Sequence, residues 1–411
     1  MYTFLSKNNL SNQNFKTMHK KIIFLLVTLI SSLLVDAQEN VQWKFKTNDR
    51  VYSSPIIDGN FIYFGSGDHN LYAVNKNTGK EVWRFNTKGA VHSSPFIRKN
   101  LVYFASADGF LYAVNKKSGK EVWKFKSNGE KMYGLWDYYL SSPIEENGSV
   151  YWGSGDGHVY AVDSKTGKLK WKYLTQGIVH ATPAIYKGNI VIGSFDGYFY
   201  CIQKETGSLV WKFRTIGAAY FPKGEVQKAA LVDGDFIYFG SRDYNIYALN
   251  GKTGRGIWNM KQPRGWITAT PTVYKENIYF GTSDAHKFYS MNKLSGITNW
   301  TAKVNMRVYG TAVPHSDIIY FGTFDGKIIG VDYKTGKTKW EFQTESSKLN
   351  YSKLYNKDGE FIKGFELYGK NFKDSEKLIH TLGSILSTPL IDNGTIYFGS
   401  SDGNLYSVKL K

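Results

Sequence analysis

Residues 65–83 read Gly-Ser-Gly-Asp-His-Asn-Leu-Tyr-Ala-Val-Asn-Lys-Asn-Thr-Gly-Lys-Glu-Val-Trp, and the pattern returns at 105–123, 153–171, 193–211, 240–258, 281–300 and 322–340. An eighth copy starts at Gly399 and stops at the C-terminus without its Thr-Gly and Trp. The missing end stands at the other terminus, where Gln42-Trp43-Lys44-Phe45 has no copy in front of it. A period near 40 residues restricts the chain to a propeller or a solenoid. Two ends that are complementary halves of one repeat belong to a ring, since a straight solenoid does not need them.

Each copy divides into four short apolar runs rich in Val, Ile, Tyr and Phe, separated by turn residues. In the first copy the spacing predicts strand A over Val51–Ile57, B over Phe61–Ser66, C over Leu71–Asn75 and D over Glu81–Phe85. The expectation is an all-β, eight-bladed β-propeller of four-stranded antiparallel blades. The Trp43 strand closes it by pairing with the C-terminal blade at Leu405–Val408. This single domain spans 38–411.

The run Ala-Val-Asn-Lys-Asn-Thr-Gly-Lys-Glu-Val-Trp, residues 73–83, resembles the tryptophan-docking repeat of the pyrroloquinoline-quinone (PQQ) propeller superfamily. That group holds quinoprotein alcohol dehydrogenases and the non-enzymatic outer-membrane assembly factor BamB. The resemblance covers nearly all of 42–411 and implies the fold first, because one fold hosts many functions.

Residues 1–37 lie ahead of the repeats. A basic Met18-His19-Lys20-Lys21, an apolar run Ile22–Val35 and small residues before Gln38 read as a secretory signal peptide, translated from Met18. The mature chain is therefore expected to be exported, periplasmic or secreted, with no transmembrane segment. No cysteine stands near the cleavage site, which departs from the lipoprotein pattern of BamB. The one cysteine, Cys201, aligns with Ala73 and Ala113 on strand C, a small packed position. Quinoprotein dehydrogenases typically have a vicinal cysteine pair, so PQQ is not expected and a PQQ-dependent dehydrogenase is a remote alternative. The net charge is +18; residues 1–37 contribute four Lys and one Asp, which leaves 18 − 3 = +15. Such a field draws polyanions. Export argues against nucleic acid and leaves acidic oligosaccharide or polysaccharide, alongside periplasmic or outer-membrane proteins. Turn lysines such as Lys76, Lys116 and Lys204 account for part of the charge as solvated decoration.

Whatever recurs in every blade serves the blade. The B–C turn aspartates (Asp68, Asp108, Asp156 and their equivalents), the Thr-Gly turns and the tryptophans are read as scaffold. The breaks in the repeat point to function. Insertions at 127–139, 215–227 and 341–384 all join a strand D to the next strand A, so they fall on one face. They carry Tyr133, Trp136, Tyr138, Tyr139, Tyr220, Tyr351 and Tyr355. Strand A starts at the same face, beside the axis. The residue before each Ser-Ser-Pro or its equivalent is Tyr52, His92, Leu140, His180, Gln227, Thr268, Tyr309 or Leu386; two positions earlier stand Arg50, Tyr138, Trp266 and Arg307 among others.

Histidine, tyrosine and arginine converging on one mouth suit removal of the C5 proton of a uronate. Arg50 or Arg307 would offset the carboxylate, and His92, His180, Tyr52 and Tyr309 would supply base and acid. Trp136, Tyr138, Gln227 and Trp266 would hold the sugar. The leading expectation is thus an exported enzyme acting by elimination, a lyase or dehydratase, on acidic, uronate-containing and ulvan-like oligosaccharides. The alternative is a non-catalytic BamB-like periplasmic scaffold. No cofactor is required by either reading. No metal site is assigned; a divalent ion on His92, His180 and a turn histidine is left open, because ligands from different blades have no spacing to test. No metalloprotease, Cys-x-x-Cys, P-loop or Gly-x-Ser-x-Gly motif occurs.

Overall fold

The computed structural model describes residues 40–410 apart from Tyr133 and Leu135. The leader at 1–37 and Tyr133 therefore lie outside the described residues. Among the described residues, no helix is long and apolar enough to cross a membrane.

Eight four-stranded antiparallel sheets form the blades, seven of them in sequence order from strand A to strand D. Blade 1 is Ile56–Asp58, Phe61–Gly65, Asn70–Asn75 and Glu81–Asn86. A strands of successive blades touch, which puts them around the axis and the D strands at the rim. Blade 8 takes three strands from the C-terminus, and its fourth is Val41–Lys46, paired along Asn404–Lys409 with Trp43 opposite Ser407 and Phe45 opposite Leu405. The two chain ends are thus sealed by a β-ladder.

Strand A is shorter than the sequence pattern predicts. Its ladder covers Ile56–Asp58 rather than Val51–Ile57. The preceding residues bond to neighbouring blades instead. Val51 N–H donates to Ser400 O in blade 8, and Val91 N–H donates to Ser66 O in blade 1, both at 3.0 Å. Pro55, with no N–H, could not have continued an ordinary ladder. This stitching leaves the start of each A segment lining the axis.

The repeated residues hold blade to blade. Each rim indole donates to a carbonyl of the next blade, for example Trp83 Nε1 to Lys116 O at 3.1 Å and Trp171 Nε1 to Lys204 O at 2.8 Å. The turn glycine under the indole has positive φ (+66° at Gly79), and a Cβ there would lie 2.6 Å from the Trp43 ring. Trp340 is the exception: blade 8 has its C–D turn cut open by the chain ends, and Trp340 packs on the rings of Tyr320 and Phe342. The B–C aspartates lace the inserted face. Asp68 accepts Asn48 N–H at 3.0 Å and Tyr72 O–H at 2.8 Å, and Asp156 accepts Asn128 N–H at 2.8 Å and Tyr160 O–H at 2.5 Å. Blade 7 has Ile329 where the tyrosine stands elsewhere, and burial raises the pKa of Asp325. The turn lysines need correcting as decoration. Lys76 pairs with Asp392 at 2.7 Å and Lys116 with Asp58 at 2.6 Å, each reaching an A–B turn of the preceding blade.

The three long connections run from Lys126 to Ile144, Arg214 to Leu231 and Gln343 to Leu390. The third holds helices Glu345–Asn350 and Phe372–His380, the first capped by Thr344, whose hydroxyl accepts Ser347 N–H. All three meet B–C aspartates: Asn128 at Asp156, Gly217 at Asp243 and Ser346 at Asp402.

Candidate functional site: a closed mouth above a hydroxyl-lined channel

The residues expected to line an open mouth are packed. Tyr52, Leu140, His180, Gln227, Thr268, Tyr309 and Leu386 are each no more than 3% exposed. The insertions cover them. Tyr52, Tyr139, Tyr309, Phe324 and Leu386 form one apolar cluster with Leu354, Tyr355, Ile379 and Leu382 of the third insertion, and Tyr138 packs against it. Ring centroids of Tyr309 and Phe324 lie 4.7 Å apart, and those of Tyr52 and Tyr138 5.6 Å.

His180 lies between two carboxylates of the first insertion. Its Nδ1 is 2.9 Å from Asp137 Oδ2 and its Nε2 is 2.7 Å from Glu130 Oε1. Burial opposes the charge, but the hydrogen bonds from Asp137 and Glu130 prevail and raise the imidazole pKa to about 9. At neutral pH His180 is an imidazolium clamp on the 127–139 connection. Arg307 does the same for the third insertion. It is 1% exposed, and its Nε donates to Asp284 at 2.9 Å, Nη1 to Glu376 at 3.2 Å and Nη2 to the Tyr368 hydroxyl at 3.0 Å.

The sugar-binding candidates are part of the same closure. Trp136 sits edge-on to Trp266 at 5.5 Å and Tyr368 at 5.8 Å, with its indole N–H donating to Glu376. Gln227 donates to Trp136 O at 2.9 Å and accepts from Arg242, whose guanidinium stacks on Trp266 at 4.5 Å. On the other side of the axis, Arg50 donates to the Tyr52 hydroxyl at 3.0 Å, and that hydroxyl is 3.4 Å from His380 Nε2. Burial lowers the pKa of His380 and raises those of Tyr52 and Tyr309 far above the ordinary phenol value. His92 is in contact with the Tyr52 ring at 5.1 Å, and burial lowers its pKa to about 4, so it is neutral. The structure thus brings Arg50, Tyr52 and His92 together, and separately places His180, Gln227, Trp136, Trp266 and Arg307 among the insertions' anchors.

Beneath this plug, a cavity of about 320 Å³ occupies the axis. His92, His180, Tyr139 and Leu140 lie at its upper end, and one residue per blade encircles it: Ser54, Ser94, Ser142, Thr182, Ala229, Thr270, Thr311 and Thr388. Two further lining features break the repeat. Lys228 takes the place held by Ser53, Ser93, Ala181 and Gly310 in other blades, and Tyr139 takes the place of Val51, Val91 and Val179. Tyr139 turns across the axis, its hydroxyl donating to Leu386 O at 2.8 Å, and Lys228 Nζ lies 3.1 Å from the centre of its ring. Burial alone pushes the Lys228 ammonium down to about 7. Aligning the repeats on strand A shows both substitutions; Glu130, Asp137, Glu376 and His380 gave no comparable signal, since insertions have no counterpart to align with.

Among the described residues, no group of three His, Cys, Asp or Glu is placed to hold a metal ion, and both His180 nitrogens are taken by carboxylates. The residues do not fit PQQ either. The mouth level of the axis is filled by Tyr52, Tyr138, Tyr309 and Phe324, and the single cysteine is buried in a strand.

Among solved structures, the fold is similar to BamB from Moraxella catarrhalis, with a TM-score of 0.68 at 15% identity over 90% of this chain and 99% of that one. It is also similar to the quinohemoprotein alcohol dehydrogenase from Comamonas testosteroni, with a TM-score of 0.66 at 12% identity over 90% of this chain and 76% of that one. These likenesses show the fold. In sequence, the outer membrane protein assembly factor BamB of Shewanella oneidensis is 24% identical over 149 residues, which is 36% of this chain and 37% of the relative's length. The sequence model of the family described as outer membrane protein assembly factor BamB matches residues 32–211, 138–259 and 196–411. With that match running through all the blades, the chain belongs to the BamB family of PQQ-like propellers.

Proposed function

We propose that the protein is an exported, non-catalytic scaffold that docks protein partners in outer-membrane protein assembly through the face carrying the three insertions. One observation supports this reading above all: the insertions seal the mouth and turn apolar side chains outward, with Tyr220 84%, Leu349 79% and Ile216 68% exposed. Exposed aromatic and aliphatic groups on one rigid face suit a protein surface better than a small substrate. The elimination reading has less support. His180 is charged and paired on both nitrogens, so it is no base, and Arg307 has its donors engaged by Asp284, Glu376 and Tyr368.

The test places a photo-crosslinker at Tyr220 in the full-length protein in cells. Crosslinks to outer-membrane assembly proteins are expected, abolished by Ile216→Asp with Leu349→Asp. A control Leu294→Asp, in a C–D turn on the opposite face, should leave them intact. Crosslinks that survive the double substitution would refute this docking face. Turnover of uronate oligosaccharides to a product absorbing in the ultraviolet would instead restore the enzyme.

A further inference from the structure

The axial cavity is built from hydrogen-bond donors. In five blades the ring hydroxyl accepts a backbone N–H from the adjacent blade: Ser94 from Ser54 at 2.9 Å, Ser142 from Ser94 at 2.8 Å, Thr182 from Ser142 at 3.2 Å, Thr388 from Thr311 at 3.2 Å and Ser54 from Thr388 at 2.9 Å. Each oxygen then has its own proton left to give, and no described hydrogen bond takes it up. These protons are free to turn toward the axis. Among the described residues, no Asp or Glu lines the cavity. The one lysine there, Lys228, has no hydrogen bond or ion pair among the described residues and rests on the Tyr139 face. At the upper end the His180 imidazolium and the two carboxylates it bridges, Asp137 and Glu130, sum to one negative charge, and His92 is neutral.

A ring of hydroxyls that both donate and accept, beside one unpaired lysine amine that an anion would hold protonated, suits an anionic ligand seated on that amine. Its single charge suits a monoanion, and its hydroxyls suit a ligand that carries hydroxyls. At about 30 Å³ per water, a cavity of 320 Å³ holds the equivalent of about ten waters, enough for one monosaccharide-sized molecule. The roof is closed by Tyr139 and its bond to Leu386. The way in therefore follows strand A toward the A–B turns, where the next axial residues (Ile56, Ile144, Leu231) remain partly exposed.

We infer that the central channel is a binding site for a small hydroxylated monocarboxylate of sugar-acid size, entered from the face opposite the insertions, with its carboxylate on Lys228 and its hydroxyls on the Ser/Thr ring. The inference does not depend on the docking face: the ligand and the partner would occupy opposite ends of the axis.

Titration calorimetry on the mature protein, with D-glucuronate, D-glucose and inorganic phosphate as probes, tests it. Glucuronate should bind saturably, and at least about tenfold more tightly than glucose or phosphate, the scale of one charge-assisted hydrogen bond. Lys228→Met, which keeps the length of the side chain and removes the ammonium, should lose that preference. A measurement on the unsubstituted protein covers the case in which the variant fails to fold. Trace acetylation of Lys228 by acetic anhydride, read by peptide mass, should be slowed by glucuronate and not by glucose. Equal binding of glucuronate and glucose, tighter binding of phosphate, no binding of any probe, or acetylation unaffected by glucuronate would each overturn the assignment.

Discussion

Trp83 and Trp171 occupy equivalent places in two blades and do the same thing: each indole donates to a carbonyl of the next blade, at 3.1 and 2.8 Å. His92 and His180 also occupy equivalent places, at the start of strand A in the blades that follow, and both border the axial cavity, but their charge and partners differ. His180 is an imidazolium with pKa about 9 between Asp137 and Glu130, and His92 is neutral with pKa about 4 beside Tyr52. The difference lies in what each position faces. A rim residue meets the neighbouring copy of the same repeat, so one solution serves every seam but that of Trp340. A mouth residue meets whatever the insertions bring across the axis: Asp137 and Glu130 at His180, Tyr138 at Tyr52 and Tyr309.

Seam and mouth should respond differently to substitution. The largest effect is expected at the buried ion pairs of the mouth. Arg307→Met would leave Asp284 and Glu376 facing each other without their cation, and should cost about 3–5 kcal/mol in urea unfolding. A loss under about 1 kcal/mol would mean that the insertion is not held there. Next comes the pH dependence from His180. Its folded pKa is raised above the unfolded value of 6.5, so its stabilisation is fully present below pH 6.5 and is lost as pH rises through about 9. The amount is about 3 kcal/mol across that window, from about 1.4 kcal/mol per pKa unit. Unfolding at a series of pH values should show that decline in the wild type and a flatter profile in His180→Gln; identical profiles would contradict the clamp. A third comparison stays at the rim. Trp83→Phe removes a hydrogen bond and should cost about 1 kcal/mol more than Trp340→Phe, whose indole has no equivalent turn to dock on. Equal costs would show that ring packing alone matters. The smallest effect is expected for His92→Gln, under about 1 kcal/mol by thermal unfolding, since no described hydrogen bond depends on that ring.

Reading the repeat against itself recovered most of the fold. The ring closure at Trp43 and Leu405 and the aspartate turns followed from the register of the copies, and the structure places them as that register implies. Strand A was read too long because apolar alternation says nothing of which blade supplies the hydrogen bonds; Val51 finds its partner at Ser400. The mouth residues were legible by position and misleading by chemistry. Arg307 and His180 stood out as polar groups near the axis, but their roles depend on Glu376, Asp137 and Glu130, which sit in insertions with no second copy to compare. Lys228 was not among the expected site residues, although the aligned copies carry a small residue in its place and a valine in that of Tyr139. Only the folded chain puts the ammonium on the ring.

The eight blades, their closure and the face that carries the extra chain are legible in the repeat, because they rest on contacts between neighbouring copies that recur at a fixed period. Tertiary structure alone decided that the mouth is shut and that the open space lies deeper along the axis. Those outcomes depend on packing across the ring, between residues such as Tyr139 and Leu386 or Arg307 and Glu376. Their separation along the chain bears no relation to the repeat.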